Sequence, residues 1–250
     1  MKKVPIVAGN WKMNKLPSEG RPFIDEVANL VSDIKSVSVI FAPPFTGLFG
    51  VQVKSPFHVA AQNCHWEESG ALTGEISVSM IKDCGVEYGI VGHSERRHVF
   101  GESNDWVNKK TKALLSNGLI PILCVGETIT QRESGDTELI LKEQIEKGLD
   151  SISDITNCII AYEPVWAIGT GLTATNEQVE IAHQYIREVI GNKYGNGNQI
   201  HILYGGSVNS GNAESLIQTE GVDGFLIGGA SLDAGSFASI IKIVEEVQEI

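Results

Sequence analysis

Cysteine, long apolar runs and positive charge are all scarce in this 250-residue chain. The four cysteines are Cys64, Cys84, Cys124 and Cys158, and no two of them form a CxxC pair. A chain of this length that is 42% hydrophobic can bury a full core without disulfide bridges. Reduced thiols in a cytoplasmic protein are therefore expected. No apolar run reaches the roughly 18 residues of a membrane span. The first residues, Met1-Lys2-Lys3-Val4-Pro5-Ile6, lead to Asn10 and Lys12, so the apolar core and small-residue cleavage site of a signal peptide are not expected there. Lysine and arginine total 19 against 31 acidic residues, a formal charge of −12. That sign argues against nucleic acid and anionic membrane surfaces as partners. An anionic small molecule is not excluded, because charges beyond about 8 Å are screened and a local field can oppose the global sign. No segment is rich in Pro, Ser and Gln, and no Pro/Gly/Ser linker divides the sequence. One domain over residues 1–250 is expected.

Short runs rich in Val and Ile predict strands near 4–9, 37–42, 57–62, 88–92, 120–125, 158–163, 200–204 and 223–228. They are continuous rather than alternating, the pattern of strands covered on both faces. Helical stripes lie between them. Phe23, Val27, Leu30 and Ile34 form one, Val179, Ala182, Ile186 and Val189 a second, and Phe237, Ile240, Ile241 and Val244 a third. Thr175 and Gln178 form a capping box that starts the second. Strands alternating with helices imply parallel strands joined by right-handed crossovers. Eight such units fit a closed (β/α)8 barrel; an open doubly wound sheet is the alternative that strand counting alone leaves.

Polar residues unsuited to a core strand cluster just after these runs. They are Asn10 and Lys12, Gln62 and Asn63, His93 with Ser94 and Glu95, Gly126 with Glu127, Glu163, the stretch Gly205-Gly206-Ser207, and Gly228-Gly229. In a parallel barrel all of these carboxyl ends share the face where barrel active sites form. The two Gly-Gly pairs follow the last two strands, where backbone amides commonly hold a phosphate. Each pair alone is also compatible with a simple tight turn.

The stretches "AGNWKMN", "VGHSERRHVFGES", "AYEPVWAIGTG", "YGGSV" and "DGFLIGGASL", in this order over essentially the whole chain, resemble the triosephosphate isomerase family. The resemblance implies the eight-fold barrel and the interconversion of dihydroxyacetone phosphate and D-glyceraldehyde 3-phosphate through a cis-enediolate, with no metal or organic cofactor. Glu163 matches the general base and His93 the electrophile that polarises the carbonyl. His93 is expected to stay neutral at the start of the short helix "SERRHVF". Lys12 matches the substrate-facing cation, expected to pair with Glu95 and to be anchored by its apolar neighbours Trp11 and Met13. Asn10 matches a residue that orients Lys12 and the substrate oxygen. Gly169, Ser207, Gly228 and Gly229 match the phosphate-binding amides, and Ser94, Glu95, Cys124 and Glu127 match supporting positions, Cys124 being equally well read as core. The resemblance further implies a lid from Pro164, Val165 and Trp166 through Ala167, Ile168, Gly169 and Thr170 to Gly171, Leu172, Thr173 and Ala174. Leu172 departs from the lysine that many members carry at the far hinge. The long loop 63–79 implies a homodimer in which Thr73 lies near the partner's site.

Other readings of the same residues are weaker. Gly169-Thr170-Gly171-Leu172-Thr173-Ala174 fits the dinucleotide fingerprint GxGxxA. However, Pro164 to Ile168 intervene where the fingerprint needs a tight turn, and no acidic residue ends a following strand about 20 residues on. His93 and His98 have a spacing seen in zinc motifs, but no paired cysteines accompany them. His58, His65, His98, His183 and His201 read as structural. An aldolase-like barrel would want a lysine within a strand, and none of the eight runs carries one. A non-catalytic binding protein would keep the glycines but has no use for Glu163, His93 and Lys12 together.

Overall fold

The computed structural model describes residues 3–51, 53–169 and 172–249. Its strands are β1 (Ile6–Asn10), β2 (Ser38–Ala42), β3 (Phe57–Ala61), β4 (Tyr88–Val91), β5 (Ile120–Val125), β6 (Ile159–Tyr162), β7 (His201–Tyr204) and β8 (Gly224–Ile227). Each pairs in parallel with the next, and β1 returns to β8 with Ile6 opposite Gly224, closing the barrel. The helices are α1 (Pro17–Leu30), α2 (Phe45–Leu48), α3 (Val78–Asp83), α4 (Ser94–His98), α5 (Asn104–Ser116), α6 (Ile129–Glu133), α7 (Thr137–Gly148), α8 (Asn176–Tyr194), α9 (Ala213–Ile217) and α10 (Ala234–Glu249). The fold is a (β/α)8 barrel, so the open-sheet alternative falls.

The continuous apolar runs serve two cores. One face of each strand points into the barrel, where Ile6, Ala8, Ile40, Ile90, Ile122 and Leu203 pack together. The other face, including Val7, Phe41, Leu123, Ile160, Ile202 and Phe225, packs against the helices. Burial on both faces is why alternation is missing from the sequence.

Two of the three helical stripes are buried as expected. Val179, Ala182, Ile186 and Val189 face the sheet from α8, which begins with the Thr175–Gln178 capping box. Phe237, Ile240, Ile241 and Val244 do the same from α10. The first stripe needs correction. α1 stops at Leu30, Ile34 lies beyond it, and Leu30 is exposed. The buried face is instead Phe23, Ile24, Val27 and Val31, since a step of four from Val27 reaches Val31.

The loop 63–79 is closed at its base by an isolated bridge between His65 and Ser77, with the His65 N–H donating to Ile76 O at 2.7 Å. Residues 67–75, including Thr73, are exposed, so the loop is a structured arm standing off the barrel. Among the described residues no helix is long and apolar enough to cross a membrane.

Candidate active site

A cavity of about 240 Å³ opens at the carboxyl ends of the strands. Asn10, Lys12, His93, Glu163, Ile168, Gly169, Ser207, Gly228 and Gly229 all line it. Residues separated by more than 200 positions meet there because a parallel barrel puts every strand's carboxyl end on one rim.

Glu163 directly follows β6, and its N–H still donates to Val125 O at 2.7 Å, so the carboxylate starts from fixed backbone. Its Oε2 accepts the Ser94 backbone N–H at 2.9 Å, and its Oε1 lies 2.9 Å from His93 Nε2. The side chain is buried. Burial alone would raise its pKa, but His93, the Ser94 amide and Lys12 outweigh that and hold it below the ordinary glutamate value. Cys124, inside the barrel, has its thiol pushed well above the usual range by burial and by Glu163, so it stays protonated.

His93 is the N-cap residue of α4, and its Nδ1 accepts the Glu95 N–H at 3.2 Å. A nitrogen that accepts carries no proton, so the neutral tautomer with hydrogen on Nε2 satisfies both neighbours. Burial pulls the His93 pKa down, whereas Glu163 pulls it up more strongly; the net direction is upward. The upward pull belongs to the Glu163 carboxylate at Nε2. If that carboxylate turns to another partner, burial and Lys12 are left to favour the neutral ring.

Lys12 reaches the cavity from a left-handed backbone, φ 52°. Its N–H donates to Asn10 Oδ1 at 3.1 Å, and its Nζ pairs with Glu95 Oε1 at 2.7 Å, the expected partner. The expected anchoring by two apolar neighbours is half right. Trp11 is buried edge-on against Phe23 at 5.2 Å, but Met13 is 95% exposed. The second anchor is Gln62, whose Nε2 donates to Lys12 O at 2.9 Å and Ala42 O at 2.8 Å. Its only signal in the sequence is its position after the third strand.

On the opposite wall, β8 runs into Gly228, and Ser231 N and Oγ both donate to Gly228 O, at 2.9 and 2.7 Å. That carbonyl is thereby satisfied by Ser231, and Gly228, Gly229 and Ala230 line the cavity. Ser207 follows β7 on the adjacent rim. This wall carries no carboxylate, and the Lys12 stem approaches it, a Cβ on Gly228 falling 3.4 Å from Lys12 Cε. An oxyanion fits that chemistry.

The segment expected to form a lid begins at Pro164, and Val165–Ala167 form one 3₁₀ turn. Ile168 and Gly169 (φ 68°) reach the cavity. Thr170 and Gly171 lie outside the described residues. Leu172 is 55% exposed, Thr173 is exposed, and Ala174 is buried before α8. The 3₁₀ turn Val165–Ala167 separates Gly169 from the end of β6, so the GxGxxA stretch is not the tight strand-to-helix turn that the nucleotide fingerprint needs. Glu127 holds the start of this segment: its buried carboxylate accepts Trp166 Nε1 at 2.8 Å and Tyr162 OH at 3.2 Å and pairs with Arg132 at 3.2 Å. Arg132 also stacks over the Trp166 ring at 4.7 Å.

Arg97 is not signalled by the sequence pattern. It donates to Gly92 O at 2.7 Å and Cys124 O at 3.1 Å, tying the ends of β4 and β5 below the site. The other histidines stay outside the cavity. His58 pairs with Glu87, His65 accepts the Glu67 N–H, His183 contacts Gly221 O and His201 contacts Val4 O. Among the described residues, no three of His, Cys, Asp and Glu gather as a metal-ligand set.

The family model described as triosephosphate isomerase matches residues 5–244. The triosephosphate isomerase of Trichlorobacter lovleyi is 46% identical over 247 residues, covering 96% of this chain and 98% of the relative. That of Chlorobium phaeobacteroides is 49% identical over 242 residues, covering 95% and 97%. That of Geobacter metallireducens is 46% identical over 247 residues, covering 96% and 98%. This chain belongs to the triosephosphate isomerase family.

Proposed function

We propose that the cavity interconverts dihydroxyacetone phosphate and D-glyceraldehyde 3-phosphate, with Glu163 moving the proton. The observation that carries this reading is the convergence of a buried carboxylate, a histidine Nε2 and a lysine ammonium on one cavity that Ser207, Gly228 and Gly229 also line. Ser207, Gly228, Gly229 and Gly169 hold the phosphate by their amides. The carbonyl then lies between His93 Nε2 and Lys12 Nζ, and Asn10 keeps Lys12 in place. Glu163 removes a proton from the carbon beside the carbonyl and returns it to the neighbouring carbon. His93 Nε2–H and Lys12 stabilise the enediolate oxygens as charge develops. The Glu95 amide on Nδ1 keeps the His93 proton on the nitrogen that faces the substrate.

Positioned acid–base catalysis supplies about 10²–10⁴-fold, roughly 3–5 kcal/mol. Orientation supplies about 7–11 kcal/mol more, so the phosphate grip and the lid matter as much as the base. Closure of Ile168 over Glu163 excludes water and protects the enediolate phosphate from losing its phosphate. Every step uses side chains and amides of this chain, and no cofactor or metal is called for. The testing experiment is a coupled assay on glyceraldehyde 3-phosphate with no metal or NAD added at the isomerase step.

The working assembly in this proposal is a homodimer made through the 63–79 arm. A second cavity, about 190 Å³, adjoins the site between Met13, Phe45, Gln62, Glu95 and Phe100. Met13, Phe45 and Phe100 add exposed apolar surface to an otherwise polar lining, Met13 at 95% and Phe100 at 62%. The exposed tip carrying Leu72 and Thr73 suits such a socket on a second copy. A cytoplasmic location is part of the same proposal, supported by four cysteines that are all free thiols.

A further inference from the structure

Gly126 follows β5 and is buried against the base. A Cβ built on it would fall 1.7 Å from the Glu163 carbonyl oxygen, so the two backbones run in direct contact. Glu163 N–H donates to Val125 O at 2.7 Å, and Val165 N–H donates to Glu127 O at 3.1 Å. The base and the first lid hinge are thus both suspended from the three residues Val125, Gly126 and Glu127.

The backbone N–H and C=O of the middle residue are gripped by one side chain. Gln144 on α7 accepts the Gly126 N–H through Oε1 at 2.7 Å and donates from Nε2 to Gly126 O at 3.1 Å. Gln144 is itself buried, 8% exposed. A primary amide presents an acceptor and a donor side by side, matching the N–H and C=O of one residue. Leucine or methionine would fill the same space but leave two buried backbone groups unpaired. The chemistry of the side chain, and not merely its volume, is used here.

We propose that Gln144 is a positioning residue for the isomerisation. By locking the Gly126 backbone it sets the height of the Glu163 carboxylate over the substrate and the pivot of the lid at Val165. The inference rests on the reading of Glu163 as the base. Three of the four phosphate contacts, Ser207, Gly228 and Gly229 after β7 and β8, are independent of this grip; only Gly169 rides on the lid, so phosphate binding should change far less than kcat.

Gln144→Glu provides the test. When protonated, a glutamic acid offers an O–H to Gly126 O and an acceptor to Gly126 N–H, reproducing the amide pattern. When ionised, it sets a negative oxygen against Gly126 O. Burial raises such a carboxyl, and fully buried glutamates reach about 8–9. The ratio of variant to wild-type kcat should therefore rise as pH falls through that pKa. KM and the inhibition constant of inorganic phosphate should stay within about 3-fold of wild type. Gln144→Ala should lower kcat per folded molecule by about 10²-fold, the cost of misplacing a reacting group by about 1 Å. A flat kcat ratio across pH overturns the proposal. So does a wild-type kcat in Gln144→Ala, or a phosphate constant that moves in parallel with kcat. If Gln144→Ala does not fold, Gln144→Glu decides; a Glu variant unfolded by circular dichroism even at the acid end also overturns it. A wild-type chain without isomerase activity overturns the assignment of the base instead.

Discussion

His93 Nε2 and Glu163 Oε1 lie 2.9 Å apart, with side-chain exposures of only 6% and 3%. Each moves the other's proton affinity: the carboxylate is held below the ordinary glutamate value of 4.5 and the imidazole above the ordinary histidine value of 6.5. A depressed carboxylate adds stability that is present above pH 4.5 and is lost as pH falls through its folded value. A raised histidine adds stability that is full below pH 6.5 and is lost as pH rises through its folded value. The stability difference between wild type and Glu163→Gln, read by urea unfolding, should therefore be widest between pH 4.5 and 6.5 and shrink on both sides.

The same substitution separates binding from chemistry. Glu163→Gln should reduce kcat by about 10²–10⁴-fold, because an amide cannot accept the substrate proton. Inorganic phosphate should still bind, since the wall from Ser207 to Gly229 is untouched. In NMR of the imidazole nitrogens, His93 should titrate lower in the variant, having lost the carboxylate that raises it. Near-normal turnover would remove Glu163 from the role of base.

Gly205 bears on the base from the other side. A Cβ there would lie 2.9 Å from Glu163 Cγ and 3.2 Å from Tyr162 O. The Tyr162 carbonyl is fixed, because it accepts the Gly205 N–H at 2.7 Å, so the Glu163 side chain must give way. Gly205→Ala should lower kcat by about 10–10²-fold and leave the unfolding midpoint nearly unchanged. Steady-state kinetics with a parallel melt checks this, and an unaltered kcat would mean that the carboxylate has room to spare.

These contacts mark how far the sequence is legible. The eight strands could be read because burial on both faces leaves an unbroken Val/Ile run, and the polar residues after each run stood out against that background. The Lys12–Glu95 pair was expected and is present at 2.7 Å. Other features are set by packing that periodicity does not encode. Met13 neighbours Lys12 in sequence yet faces outward, and Val31, the residue capping α1, is buried while Leu30 is exposed and Ile34 only partly buried. Gln62, Arg97 and Gln144 support the site by reaching backbone carbonyls far along the chain, and a backbone acceptor has no residue type to recognise. Gly205 and Gly126 matter for what would collide with a side chain, which only the folded arrangement reveals.

The 63–79 arm can be tested by removal. Replacing residues 67–75 with a short turn leaves its base intact, since the His65–Ser77 bridge lies outside the cut. The shortened chain should stay folded by circular dichroism and sediment as a monomer at micromolar concentration. Its kcat should fall as well, because Lys12 and His93 also border the second cavity, which would then open to water. A shortened chain that remains a dimer would place the interface elsewhere.

At the opposite face of the barrel a charge cluster should affect stability and spare the chemistry. Asp223, just before β8, accepts from Lys3 Nζ at 2.9 Å and from Ile202 N–H at 2.8 Å, and pairs with Arg187. Burial raises its carboxyl, but Lys3, Arg187 and the Ile202 amide prevail and hold it below the ordinary aspartate value of 3.8. Its contribution is present above that pH and is lost as pH falls through the folded value. Asp223→Asn removes the charge and leaves Arg187 and Lys3 facing a neutral oxygen. Breaking a buried pair in this way costs about 3 kcal/mol, a fall in Tm of roughly 6–12 °C for a chain of this size. The loss should be seen at neutral pH and narrow on acidification, as wild type itself becomes protonated. Turnover at low temperature should match wild type, because conservation of geometry at the carboxyl-terminal rim does not depend on this end of the strands. A large drop in kcat with an unchanged Tm would show that the two faces of the barrel are coupled.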